Sequence, residues 1–484
     1  MGASSSKSVV LDDDRQQVMS EKQLSHTFTA LNLDDNEARI RFAGLSQEHL
    51  QRYEHEFYAE PKNVFAQNAI TRNEITSVLV NHKASVKDQH VFNVQTDVEG
   101  KATNQKSSGR CWLFAGTNVL RRLLIQKYKL EEDFELSQSY LFFYDKLEKA
   151  NYFLESMIDL ADKDIDDRVV QYLLQAPVND GGQWDMFINV VEKYGVVPKS
   201  AFPETYSSSS SSRLNWLATV KLREFAVEIR KAHEQGISAS AIRAQKDRMV
   251  AEIHRILMIT LGEPPKKFDW EVKNKEGKLV HIKNLTPTKF YKEVIDYKLT
   301  DTVSLINDPR NDYSKLYTVD RLGNVVGGLD IRYLNTSANN LKKLAIAVLK
   351  SNRPVWFGCD VGQFSNRDIA AMDTDLFNYE LAFNVKLGLT KAQRVLYGES
   401  LMTHAMVFSG VHLDEDGNPV RWRVENSWGS DLGDKGYWIM SDKWFEQFVY
   451  QVVLEKKDVP HKLLALLDTE PTVLPAYDPM GALA

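Results

Sequence analysis

The sequence predicts an α+β fold, on three observations. Apolar residues recur at helical spacing from Cys111 onward. Two long helical stretches, about 213–234 and 239–261, occupy the middle of the chain. From residue 401 the pattern changes to short β-rich runs: "MTHAMVFSGVHL", "VRWRVENSWG", "KGYWIMS" and "FVYQVVLEKK". At 484 residues, several domains, or one domain enlarged by insertions, are expected.

Taken in order, residues 1–45 are polar and weakly periodic and read as a flexible arm. The opening M-G-x-x-x-S fits the acylation pattern on Gly2, an anchor that would hold a membrane only marginally; a plain Ser-rich terminus is the alternative. Residues 46–206 read as a mostly helical part. Its first stretch, 46–83, is helical with a break near Pro61, and "HVFNVQTDVEG" is extended. In "NQKSSGRCWLFAG", Ser107, Ser108 and Gly109 supply capping and turn chemistry ahead of a helix. Leu113, Leu120, Leu123, Leu124 and Tyr128 share one face of that helix. Further helices are expected at 137–161, 164–175 and 184–194, with "NDGGQW" at 179–184 as a turn.

The run Ser207–Ser212 is low in complexity and reads as a flexible connection. It opens a mainly helical insert, 207–345, that is basic. Residues 213–300 hold 18 Lys and Arg against 11 Asp and Glu, a net +7 in a chain of net −6. Such charge is either a solvated helix face or a surface for weak DNA or RNA binding. Residues 346–470 form the β part, preceded by a helix at 338–350. "PVWFGCDVG" is a buried strand with Cys359 in the core. The tail, 471–484, has three prolines and no amphipathic period, so it is extended and mobile unless docked.

Composition narrows the function. Two cysteines cannot build a disulfide framework or a Cys-rich zinc site, and they fit a reducing compartment. With no membrane-length apolar run and no secretory core visible, a cytoplasmic protein without a transmembrane segment is expected. No motif requires a metal or cofactor.

Cys111 has two readings: a small buried hydrophobe, or a nucleophile at a helix start. A nucleophile needs a base. The strands "HAMVFSGVHL" and "VRWRVENSW" flank a turn at Asp416–Gly417 and form a hairpin. Facing residues should then have numbers summing near 833. His404 and Asn426 sum to 830, opposite within the slack of a bulge. An amide beside an imidazole fixes its tautomer, as in a triad. A resting thiolate–imidazolium pair would need orientation more than another negative charge. Trp428 either shields that bond or is plain core. Gln105, with the Cys111 N–H, can hold an oxyanion. A Cys/His acyltransferase or amidase would use the same set.

"NQKSSGRCWLFAG", "NDGGQWDMFINVVEKYGVVP", "THAMVFSGV" and "VENSWG…KGYW" resemble, in order, the active-site segments of papain-like cysteine proteases. "LSQSYLFFYDKLEKANYFLE", "SLINDPR" and "DPMGALA" are similar to its bleomycin hydrolase subgroup, from about residue 50 to the end. The resemblance implies a papain-like fold, with a helical left domain and a β-barrel-like right domain. It implies Cys111 as nucleophile, His404 as base, Asn426 as orienter and Gln105 as oxyanion donor, with Gly181 and Gly182 lining the cleft for peptide substrates. It implies an aminopeptidase in which Ala484, at the tail's end, meets the substrate's amino group, and a homohexameric ring. One departure is Ser108, three before Cys111, where secreted relatives carry a disulfide cysteine.

Overall fold

The computed structural model describes residues 44–87 and 89–483. Gly2, Ala484 and nearly all of the N-terminal arm lie outside them. The chain starts with α1 (Gln47–Ala59) and α2 (Pro61–Ile70), separated at Glu60 ahead of Pro61. Ser46 caps α1 by accepting the His49 N–H. Neither helix buries a residue.

The central helix, α3 (Cys111–Tyr128), is enclosed on nearly all sides. Its expected face is buried, with Leu113, Leu120 and Leu124 fully inside, but so are Arg121 and Arg122 on other faces. Arg121 donates to Glu425 at 2.6 Å and ties the helical half to the β half. Packed around α3 and each other are α4 (Gln138–Asp159) and α6 (Trp184–Tyr194), and between them in the chain lies α5 (Arg168–Gln175), whose Val170 is buried. Then come α7 (Ser212–Glu234) and α8 (Ala239–Leu261), at the boundaries their periodicity predicts, both packed on α4. The helix α9 spans Ala338–Lys350 as expected.

The strands β4 (Thr302–Ile306), β5 (Lys315–Val319), β6 (Tyr333–Asn335), β7 (Val355–Cys359), β8 (Ser365–Asn366), β9 (Ala371–Met372), β10 (His404–Leu413), β11 (Pro419–Glu425), β12 (Tyr437–Ser441), β13 (Val449–Glu455) and β14 (Thr472–Leu474) belong to one twelve-stranded sheet. Its order is β14-β5-β6-β4-β13-β7-β10-β11-β12-β9-β8, with β1 (Val94–Gln95) added on β10. A separate hairpin joins β2 (Phe268–Lys273) to β3 (Leu279–Leu285).

Three local expectations are corrected. Ser107 and Ser108 do not cap α3: its N-cap is Arg110, with no side-chain cap. The Ser108 hydroxyl instead donates to the Gln105 carbonyl and accepts from Arg110 Nε. The run Ser207–Ser212 is not a loose connection. It holds a helical turn, Tyr206–Ser209, and buries Ser208 and Ser211. Ser107 donates its N–H to Ser209 O and accepts the Ser211 N–H; small side chains let the two backbones meet. The segment 207–345 is not helix alone. Its β4 is buried along its whole length and pairs with β13 inside the large sheet. In the β2–β3 hairpin, Trp270 packs edge-on against Tyr128 and Phe290 at 5.3 and 5.2 Å. Alternating strands carry a weaker signal than the long helices beside them.

Candidate active site

The β10–β11 hairpin sets the base. Its observed pairs Val411↔Trp422 and His412↔Arg421 sum to 833, and a shift between Phe408 and Gly410 brings Val407↔Glu425 to 832. Beyond the last pair the two chains continue side by side, and His404 Nε2 meets Asn426 Oδ1 at 2.9 Å. Asn426 is fully buried, and its Oδ1 also accepts the Ser427 N–H at 2.7 Å. With Nε2 held, Nδ1 is the ring nitrogen left for proton exchange. The Trp428 ring lies 5.0 Å from the His404 ring and packs on Trp438 at 5.1 Å. It also packs against the apolar core of the β half.

Cys111 opens α3 and is 2% exposed. The backbone N–H groups of Ala405, the residue after His404, of Trp112 and of Cys111 lie near enough to its sulfur to favour the anion. The absent side-chain cap leaves this helix start open to a ligand. Gln105 is buried behind it. Its Nε2 donates to Ser108 O at 2.6 Å, and its Oε1 accepts the Ser427 hydroxyl at 2.6 Å. One amide hydrogen of Gln105 is thus in use and the other is available.

Burial acts on both members of the expected thiolate–imidazolium pair. Burial pushes the Cys111 thiol up to about 11, against the N–H groups that favour its anion. Burial also lowers His404 to about 4, opposed by the Asn426 hydrogen bond. Burial thus disfavours each charge taken alone. A broad pH profile of kcat/KM follows. Below about 4, His404 holds a proton and cannot act as base; above about 11, the pair has lost the proton it must give the leaving amine. A plateau through neutrality is expected for a free-amine fluorogenic amide. An acid limb near pH 6.5, the ordinary histidine value, would contradict it.

Gly181 and Gly182, the expected cleft-lining residues, lie in the irregular segment just ahead of α6. A Cβ on Gly182 would meet the Trp112 ring at 2.4 Å, so only glycine lets this backbone lie against it. Gly181 O accepts from Lys149 Nζ. Just before it stands Asp180, which spacing alone did not single out. Its carboxylate accepts the Gly109 N–H at 2.9 Å, Asn215 Nδ2 at 2.8 Å, Lys146 Nζ at 2.7 Å and the Ser211 hydroxyl. Its backbone carbonyl accepts Trp112 Nε1 at 2.7 Å. These partners hold Asp180 well below the usual carboxylate range, despite burial. The hub therefore links the loop before Cys111, the Gly181–Gly182 segment, α4 and α7. Ser427 and Gln183 were also missed. Ser427 lies between two singled-out residues of "ENSWG", and Gln183 directly follows Gly182.

A sequence model of the Peptidase C1-like family matches residues 44–481. The chain belongs to this family. The C1-like chain is 46% identical over 452 residues to the bleomycin hydrolase of Mus musculus, with 91% of this chain and 99% of the relative covered. It is 44% identical over 442 residues to aminopeptidase C of Listeria monocytogenes, with 91% and 99% covered. Among solved structures it is similar to PepW from Lactobacillus rhamnosis, with a TM-score of 0.89 and 46% identity over 91% of this chain and 100% of that one. The protein is a papain-like cysteine peptidase of the bleomycin hydrolase and aminopeptidase C type.

Proposed function

We propose that this peptidase removes residues from the N-termini of peptides by acyl transfer through a thioester, with its C-terminal tail setting the specificity. The observation that carries the chemistry is the His404–Asn426 hydrogen bond, at 2.9 Å, beside a cysteine at an uncapped helix start. Cys111 Sγ attacks the scissile carbonyl carbon as His404 Nδ1 takes its proton. The Cys111 N–H and Gln105 Nε2 hold the oxyanion. Collapse expels the amine, protonated by His404, and leaves the thioester. His404 then deprotonates water, which hydrolyses it.

The tail reading is supported by its course. β14 pairs in parallel with β5, Met480 and Gly481 are buried, and Ala482 O accepts Gln183 Nε2 at 2.6 Å beside Gly182. Ala482 thus lies against the segment carrying Gly182 and Gln183, the expected cleft lining, and Ala484, the next residue but one, would offer its carboxylate to a substrate's ammonium. Ending the chain at Pro475 is expected to shift cleavage from N-terminal trimming toward internal bonds, read by mass spectrometry of a peptide digest. Unchanged cleavage sites would reject the tail's role.

We also propose self-assembly, as the homohexamer that the resemblance implies. Tyr58, Phe65, Leu381 and Leu387 are each more than half exposed, on and near helices that bury nothing, a surface that favours burial by further copies. Nucleic-acid binding is the weaker proposal. Arg243 and Lys246 pair with Glu155, Arg248 with Glu228, and Arg223 and Arg230 serve backbone carbonyls. Both cysteines are free and buried, which supports a reducing, cytoplasmic setting. Among the described residues no helix is long and apolar enough to cross a membrane.

A further inference from the structure

The motif "SLINDPR" and the tail segment "YDPM" have no part in the chemistry above, yet the fold brings them together. We propose that Arg310 is a positioning residue that clamps the C-terminal tail through Asp478 and so determines whether the enzyme attacks chain ends or internal bonds. The inference rests on the reading of the tail as the specificity element.

The clamp is built before the tail reaches it. Asp308 is 1% exposed and grips Arg310 twice, Nε to Oδ1 at 3.0 Å and Nη2 to Oδ2 at 2.9 Å. Asp308 is itself held. Its N–H donates to Asn335 Oδ1 at 2.9 Å, its carbonyl accepts Asn335 Nδ2 at 3.0 Å, and Asn311 Nδ2 donates to its Oδ2 at 2.8 Å. Asn335 is fully buried on β6. The guanidinium therefore presents its remaining edge in a set direction.

The tail supplies the matching group. Arg310 Nη2 donates to Asp478 Oδ1 at 2.8 Å and Nη1 to Oδ2 at 3.4 Å. Both side chains are only 13% exposed, so solvent screens the pair far less than a surface salt bridge. Asp478 also shapes the tail directly: its Oδ1 accepts the Met480 N–H at 2.8 Å and caps the turn Pro479–Gly481. That turn drives Met480 into the core and aims Ala482 at Gln183. One carboxylate thus sets where the tail is held and which way it leaves. A second hold lies one residue earlier, where Arg168 stacks on the Tyr477 ring at 3.5 Å.

The test compares Asp478→Asn, Arg310→Gln, the double variant and the chain ended at Pro475. Each full-length enzyme is assayed on a free-amine aminoacyl fluorogenic amide and on an N-acetylated peptide amide. Hydrogen exchange is followed at the Met480 and Gly481 amides. Asp478→Asn leaves the Asp308–Arg310 pair in place, so it reports on the tail even if Arg310→Gln fails to fold. Expected are a tenfold or greater rise in the blocked-to-free ratio of kcat/KM in each single variant, no further rise in the double variant, and lost protection at both amides. If truncation raises the ratio while the single variants keep the wild-type ratio and protection, the clamp is wrong and the tail reading survives. If truncation leaves the ratio unchanged, the tail reading fails and takes the clamp's effect on specificity with it. The exchange rates then decide separately whether Arg310 holds the tail.

Discussion

Cys111→Ala is expected to lower kcat/KM for amino-acyl fluorogenic amides by on the order of 10⁶-fold, the scale seen when the nucleophile of a catalytic triad is removed. No other side chain at the start of α3 can form the acyl bond: its neighbours are Arg110, fully buried and paired with Glu204, and Trp112, turned toward Asp180. The substitution removes one sulfur from a tight site and should lower stability by only about 1 kcal/mol. Circular dichroism and a cooperative thermal transition would confirm that the fold is kept. Cys359→Ala is the control. That thiol is buried on β7, where it is the register partner of His404 on the adjacent β10, and it has no role in the proposed acyl transfer, so this conservative variant should retain most activity. Substantial turnover by Cys111→Ala would remove the basis of the proposed mechanism.

Asp180→Ala is expected to destabilise the protein by roughly 3–5 kcal/mol, because it strands Lys146, whose side chain is 2% exposed, without its partner in the interior. It also frees the Gly109 N–H and loosens the loop leading to Cys111. A shift of about 1 Å at the sulfur would lower kcat on the order of a hundredfold. The sign of the pH dependence follows from the carboxylate's lowered titration. Its stabilisation is fully present above the unfolded value, near 3.9, and is lost as pH falls toward its folded value. Removing the side chain should therefore flatten the acid limb of the stability curve. Denaturant titrations at several pH values measure both effects, and an unchanged midpoint would reject the hub. The loop leading to Cys111 is held by Asp180, Ser211 and Ser107.

Much of this site was legible because its components are periodic or local. The hairpin arithmetic worked: an alternating strand, a turn with Asp416–Gly417 and a second strand leave little freedom of register. The sum of 833 appears in the observed pairs, and the bulge near Ser409 accounts for part of the offset to Asn426. The helices at 212–234 and 239–261 were equally plain, since each repeats its apolar face over six turns. The serine run misled for the same reason. Composition reports low side-chain cost and flexibility, but burial of Ser208 and Ser211 depends on a loop a hundred residues earlier.

By itself, the sequence determined which residue types could do the chemistry and how each lies within its own helix or hairpin, because those follow from backbone geometry repeated every two or 3.6 residues. Tertiary structure alone decided the rest. It buried the thiol and imidazole, joined Asp180 to a lysine on one helix and a serine beside another, and set Arg310 against Asp478. Those outcomes depend on desolvation and on contacts between distant segments, and neither leaves a spacing that can be read along the chain.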